Sequence, residues 1–156
     1  MMATVSQLIE RLQNLRDNLP QIVADSIEQS KDKFLALNAS QLVSGLDGLG
    51  KTTLDGVDFY QPSTIRKKKR YGVGYGSITD HITLYDSGEM QKSETLEIQG
   101  DQVITDFNTD YSKYVLDRTG PAVLSLNEEN KTNYIFGPMF EAMRPKVEEL
   151  TQLTLA

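Results

Sequence analysis

The chain contains no cysteine and no tryptophan, and His81 is its only histidine. Without cysteine there is no disulfide, no thiol nucleophile and no thiolate metal site. A Ser–His–Asp triad would have to use His81, which lies among strand-like residues in TDHITLYD. We expect His81 to be an ordinary residue at a strand edge. The inventory of side chains therefore predicts no catalytic residue, no cofactor and no metal site.

Long apolar runs are also missing, because no stretch approaches the roughly 18–20 residues needed to cross a bilayer. The first residues, MMATVSQLIERLQ, are amphipathic and include Glu10, so we expect no secretory signal. The 156 residues are 38% hydrophobic and 24% charged, which is typical of one globular domain. The absence of cysteine favours an intracellular origin, although the protein could later act outside a cell. The formal net charge of −6 argues against nucleic-acid binding over the whole surface.

Helical periodicity dominates the first third of the chain. Apolar residues recur at helical spacing from Val5 to Leu15, with Thr4 as the N-cap. Pro20 fits the first turn of a second helix whose apolar face continues to Leu42. We therefore expect a helical hairpin or one bent helix.

The last segment, MFEAMRPKVEELTQLTL, predicts another amphipathic helix, which Pro145 should kink or restart. Before it, residues 127–133 predict a polar loop and residues 134–136 a strand. The apolar face of the closing helix consists of Phe140, Met143, Val147, Leu150 and Leu153.

The second half also contains strand patterns. Residues 94–107 predict two strands joined by a tight turn at Gly100-Asp101, and residues 82–86 alternate like a further strand. Residues 110–117 predict a short helix that points Tyr111, Tyr114 and Val115 inward. The chain as a whole predicts a single α+β domain over residues 1–156, with long N-terminal amphipathic helices, a small antiparallel sheet and a C-terminal amphipathic helix.

Between helix and sheet lies a glycine-rich extended loop, residues 44–77, which contains the basic run IRKKKRYG. Such a loop has little apolar area to offset the ordering cost of about 1–2 kcal/mol per residue, so we expect an assembly arm that orders on a partner. The run could meet an acidic protein, meet DNA, or simply be solvated. The interface residues predicted here are Phe59, Tyr60, Arg66, Lys67, Lys68, Lys69, Arg70, Tyr71 and Tyr75.

Residues 45–52, GLDGLGKT, match the phosphate-loop pattern G-x-x-x-x-G-K-[ST]. A phosphate loop needs a buried strand before it and a helix after it, so that backbone amides meet the anion. Here a helical pattern precedes Gly45, and Gly56 and Pro62 interrupt any helix that follows. Asp86 could be claimed as a magnesium ligand, but the βαβ order that would support it is missing. We expect a glycine-rich turn, and nucleotide binding remains an alternative.

Three stretches carry a family resemblance. LYDSGEMQKSETLEI, TDYSKYVLDRTG and IFGPMFEAMRPKVEELTQL follow one another in the chain. In this order they resemble motifs of the head–tail joining proteins of tailed bacteriophages, also labelled neck, tail-completion or virion-morphogenesis proteins. The matching residues are Ser87, Gly88, Met90, Ser93, Tyr111, Tyr114, Val115, Pro138 and Phe140.

The resemblance implies an α+β protein whose copies form a ring in the neck or tail and join the head–tail connector to the tail. Its partners would be further copies of itself, connector-side (portal-side) and tail proteins, and possible contact with genomic DNA in the lumen, with no membrane. It would be assembled in the bacterial host cytoplasm and located in the virion. The alternatives are a nucleotide-binding protein that uses residues 45–52 and a small nucleic-acid-binding module that uses residues 66–70.

Overall fold

The computed structural model of the protein describes residues 4–51, 60–80, 82–85, 87–100 and 102–153, and of Tyr75 only the backbone. The chain is an α+β fold, as predicted. Its helices are α1 (Val5–Val43), α2 (Pro62–Tyr71), α3 (Glu89–Lys92), α4 (Ser112–Thr119), α5 (Glu128–Tyr134) and α6 (Phe140–Thr151). The strands are β1 (Glu94–Gln99) and β2 (Gln102–Phe107). Short 3-10 helices cover Gly74–Ser77 and Pro121–Leu124.

The N-terminal third is one continuous helix of 39 residues, about 58 Å long at 1.5 Å per residue. Its predicted cap is present, because Thr4 Oγ1 accepts from the Gln7 amide at 3.3 Å and Gln7 Oε1 accepts from the Thr4 amide at 2.9 Å. Pro20 lies inside α1, so the first third is a single helix, and the alternative of a hairpin whose second helix starts at Pro20 is wrong.

The packing partner of α1 explains why it continues through Pro20. Helices α5 and α6 lie antiparallel along α1: Ser30 Oγ contacts the Tyr134 hydroxyl at 2.7 Å, and Arg11 Nη1 donates to the Thr151 carbonyl at 3.5 Å. These two contacts bracket Pro20. Packing along one unbroken face therefore offsets the roughly 3 kcal/mol that a proline costs inside a helix.

The polar loop predicted at 127–133 and the strand predicted at 134–136 are wrong. Asn127 caps α5 by accepting from the Asn130 amide at 2.9 Å, and two glutamates follow in the first turn, where they favour the helix dipole. A π-helical turn at Ile135–Met139 joins α5 to α6 and contains Pro138, whose missing N–H and ring disfavour an ordinary α-helical turn. Pro145 lies inside α6.

The predicted hairpin is confirmed. Strands β1 and β2 pair antiparallel from Glu94 opposite Phe107 to Gln99 opposite Gln102, and Gly100 takes a φ of +65° in the turn. Residues 82–85, by contrast, form no strand, so that prediction is wrong for the part of it that the structure describes.

A small core lies where the C-terminal end of α1 meets α3, β2 and the segment at 121–124. It consists of Leu42, Met90, Phe107 and Val123, each at most 2% exposed. Leu84, Val115, Leu116 and Leu124 pack against this cluster. The far N-terminal part of α1 lies outside it.

The segment 44–77 is more ordered than predicted over its described residues. Residues 44–51 form hydrogen-bonded turns, and the basic run lies on helix α2 rather than in an irregular loop. Pro62 occupies the first turn of α2 and three basic residues occupy its last turn, an arrangement that suits the helix dipole.

Candidate binding groove

Helix α2 is fixed to the protomer by a buried lysine in its last turn. Lys68 is 5% exposed, and its Nζ donates to the Gly76 carbonyl at 3.1 Å and to the Tyr85 carbonyl at 2.7 Å. The same ammonium group lies 4.7 Å from the centroid of the Tyr60 ring, a cation–π contact. Lys68 is therefore a structural residue, and its prediction as part of a free basic interface is wrong.

Tyr60 also holds α2 in place. Its hydroxyl accepts from the Thr83 amide at 3.0 Å and contacts Thr83 Oγ1 at 3.1 Å, and Thr83 is fully buried. The segment 82–85 thus holds α2 through hydrogen bonds, from Thr83 to Tyr60 and from Lys68 to the Tyr85 carbonyl. Hydrogen bonds to a buried backbone of this kind stabilise by about 1 kcal/mol each.

An open groove of about 540 Å³ separates α2 from α3 and α4. We call it the tyrosine groove, because Tyr60, Tyr85, Tyr111 and Tyr114 line it. It brings together residues that the sequence indicated on two separate grounds, the basic and aromatic run and the family motifs. These are Tyr60, Lys67, Lys68, Ser87, Gly88, Met90, Tyr111, Tyr114 and Val115.

The first part of the motif at 87–93 lines the tyrosine groove, with Ser87, Gly88 and Met90 among its lining residues. Gly88 has a φ of +82°, and a Cβ there would lie 2.4 Å from the Tyr85 hydroxyl, so both backbone and space favour glycine. Met90 is 2% exposed and packs inward, as predicted. Ser93 ends α3, where its Oγ donates to the Met90 carbonyl at 2.8 Å. Asp86 lies outside the described residues.

The two tyrosines of the second motif point outward, contrary to prediction. Tyr111 is 43% exposed and Tyr114 is 66% exposed, whereas Val115 packs against the core as expected. Arg118 Nη1 donates to the Tyr114 hydroxyl at 3.3 Å. Helix α4 therefore presents an aromatic surface at the rim of the tyrosine groove.

The solvent side of α2 carries Arg66, Lys69 and Arg70, which we call the basic face. Arg70 lies over the ring of Tyr71, 5.1 Å from its centroid, and Tyr71 is 66% exposed. Among the described residues, no carboxylate forms an ion pair with the basic face. Two other predicted interface positions, Phe59 and the side chain of Tyr75, lie outside what the structure describes, as does His81.

The third motif lies away from the groove. Pro138 is in the π-helical turn, and Phe140 begins α6, half-buried, with Arg144 over its ring at 5.5 Å from the centroid. Met143, Val147 and Leu150 are also half-buried, and Leu153 is 50% exposed. The predicted apolar face of α6 therefore packs along α1 rather than in the small core.

The phosphate-loop pattern occupies a turn whose amides are already bonded. Asp47 Oδ1 accepts from the Leu49 amide at 2.8 Å and from the Lys51 amide at 2.9 Å. The amides of residues 45, 46, 47, 48 and 50 each donate to a backbone carbonyl. A helix, not a strand, precedes this turn. In this conformation the described loop has no amide left to hold a phosphate.

Glu94 is a buried titratable residue that sequence reasoning missed. It is 5% exposed; the side-chain amide of Asn38 donates to its Oε1 at 2.6 Å, while its Oε2 has no hydrogen-bond partner among the described residues. Burial raises the pKa of Glu94 to about 7, although the hydrogen bond from Asn38 lowers it. The sequence did contain a sign of this burial. Side chains two residues apart in a strand point to the same face, so Glu94 shares the buried face of β1 with Leu96.

No protein-family model, curated protein or solved structure matches the chain. The phage resemblance therefore stays a prediction. Within the described ranges, no group of three or more His, Cys, Asp or Glu residues could hold a metal ion. None of the described helices has the length and apolar character of a membrane span.

Proposed function

We propose that the protein is a structural subunit of a tailed-phage virion, whose copies form a ring in the neck or tail and join the connector to the tail. The ordered resemblance of three stretches supports the phage assignment. The observation that carries subunit assembly is that the protomer leaves two separate apolar surfaces uncovered. Contiguous exposed apolar surface of this kind is typical of protein–protein contact sites.

The first surface is on the N-terminal half of α1. Its exposed fractions range from 39% for Leu8 to 75% for Val5, although α6 packs beside it. We call it the apolar stripe, and it consists of Val5, Leu8, Ile9, Leu12 and Leu19. The spacing places these residues on one side of the helix, which suits contact with another helix.

The second surface lies near the other end of α1, where Tyr114 lines the tyrosine groove and Tyr71 and Val73 line a groove that adjoins it. Tyr114 is 66% exposed, Tyr71 is 66% exposed and Val73 is 85% exposed. Aromatic residues are enriched in interfaces because they bury a large area and lose little rotamer freedom. Two different surfaces on one protomer permit head-to-tail contact, and head-to-tail contact closes into rings when the rotation between copies allows it.

The test is self-association, measured by light scattering on a sizing column and by negative-stain imaging, with and without a phage connector. We expect particles larger than a monomer, with ring-shaped views. Ile9→Ser and Tyr114→Ser should weaken association and leave the melting temperature nearly unchanged. Gln13→Ser, an exposed change on α1 outside the apolar stripe, is the matched control.

A monomeric mass at every protein concentration, with the connector also present, would overturn the proposal. Thermal stabilisation by Mg-ATP or Mg-GTP would instead favour the nucleotide-binding alternative. Tight binding to duplex DNA with a steep salt dependence would favour the nucleic-acid alternative.

A further inference from the structure

The solvent side of α1 carries a line of carboxylates, which we call the acidic stripe. Glu10, Asp17, Asp25, Glu28 and Asp32 are all exposed, and their spacings of seven, eight, three and four residues keep them on one side of the helix. Lys31 pairs with Glu28, and Arg16 pairs with Asp17 at 2.7 Å. The other carboxylates of the stripe form no ion pair among the described residues.

A groove of about 570 Å³ adjoins this stripe and extends its negative charge. Glu28 from α1 and Glu97 from β1 both line it, and Glu97 is exposed. Lys31 is the one cation in its lining and already pairs with Glu28. On the acidic stripe and this groove the carboxylates therefore outnumber the two cations, Arg16 and Lys31, that pair with them among the described residues.

The basic face of α2 is the complementary surface. Helix α2 contains five Lys and Arg residues and no acid, so the rest of the chain carries 11 basic against 22 acidic residues. The basic face lies on a helix that the Lys68 hydrogen bonds hold in place, so less conformational entropy is lost when it binds. Arg66, Lys69 and Arg70 occupy one turn, and Asp25, Glu28 and Asp32 span about two turns, so the two sets can face each other along a single contact.

We propose that the basic face of one copy docks on the acidic stripe of the next copy, centred on Asp25, Glu28 and Asp32. This inference rests on the proposed self-assembly and adds a pair of charged surfaces to the two apolar ones described above. A second copy fits better than a nucleic acid, because a chain of net charge −6 with this stripe on its longest helix repels a polyanion. Each copy also supplies one basic face and one acidic stripe, so the contact repeats from copy to copy.

The test uses two charge-reversal variants of the full chain. The first is Arg66→Glu with Arg70→Glu, and the second is Asp25→Lys with Asp32→Lys. In either variant alone, like charges meet, so self-association measured by analytical ultracentrifugation should weaken about tenfold or more. In an equimolar mixture, each altered surface meets an opposite charge on the other variant, so co-assembly should be restored. Circular dichroism and melting temperature should match the parent for both.

Lys113→Glu and Glu129→Lys, both at exposed positions outside the two surfaces, serve as single charge-reversal controls, one of each sign, and should assemble like the parent. If the parent associates but neither variant is impaired, or the mixture does not recover, the docking inference is wrong and the proposed function stands. If the parent itself stays monomeric, the proposed function fails first. If assembly is unchanged while binding to duplex DNA is lost in the first variant, the basic face serves nucleic acid and the inference is overturned.

Discussion

Replacing Glu94 with glutamine should remove a large pH dependence of stability. The folded protein holds the Glu94 carboxyl buried beside Asn38, and burial raises its pKa from 4.5 to about 7. Since the folded state binds the proton more tightly than the unfolded state, this carboxyl supports stability fully below pH 4.5. That contribution is lost as pH rises through about 7, and 1.36 kcal/mol per pKa unit gives a loss of about 3 kcal/mol.

Urea unfolding of the parent and of Glu94→Gln, followed by circular dichroism from acid to mildly alkaline pH, measures this difference directly. We expect similar free energies of unfolding near pH 4.5 and a variant that is more stable by up to about 3 kcal/mol above pH 7. Glu97→Gln makes the same chemical change at an exposed position of the same strand and should follow the parent. A difference between parent and Glu94→Gln that stays constant across this window would refute the argument.

Three further outcomes follow from the packing. Lys51→Ala should leave stability and assembly unchanged, and millimolar ATP or GTP should not shift the melting temperature, because the amides of that turn already have acceptors. Lys68→Ala should cost about 2–3 kcal/mol because the Gly76 and Tyr85 carbonyls both lose a charged donor, while Lys69→Ala, its exposed neighbour, should cost almost nothing in thermal melts. Leu42→Ala should cost roughly 3–5 kcal/mol in urea unfolding, and Phe140→Ala, which is only half-buried, should cost less; the reverse order would contradict the core assignment.

The elements that could be predicted from the sequence are those whose local pattern and tertiary packing agree. The hairpin has alternation on both strands and a glycine in the turn, and Gly100 takes the positive φ that the turn needs. The Thr4 cap and the closing helix follow for the same reason. Each of these predictions required only neighbours within a few residues along the chain.

The elements that were missed depend on partners distant in sequence. The polar segment at 127–133 becomes helical because Asn127 caps it and Tyr134 reaches Ser30 across 104 positions. Helix α2 has few apolar residues, so its periodicity was hidden, and it is secured by a buried lysine that reaches Gly76 and Tyr85. Side-chain hydrogen bonds to remote carbonyls leave no periodic signal in a sequence.

The outward tyrosines show a different limit of sequence patterns. Periodicity indicates which residues avoid water, but it does not distinguish burial inside one protomer from burial against a neighbour. Val115 packs against the core of the protomer, whereas Tyr114 on the same short helix and Tyr111, the residue before that helix, remain at the surface. Helix α1 shows the same difference, since Leu15 is half-buried while Val5, in the apolar stripe, is 75% exposed. Residues that follow an apolar pattern and are nevertheless exposed are therefore the ones to test for contact with another copy.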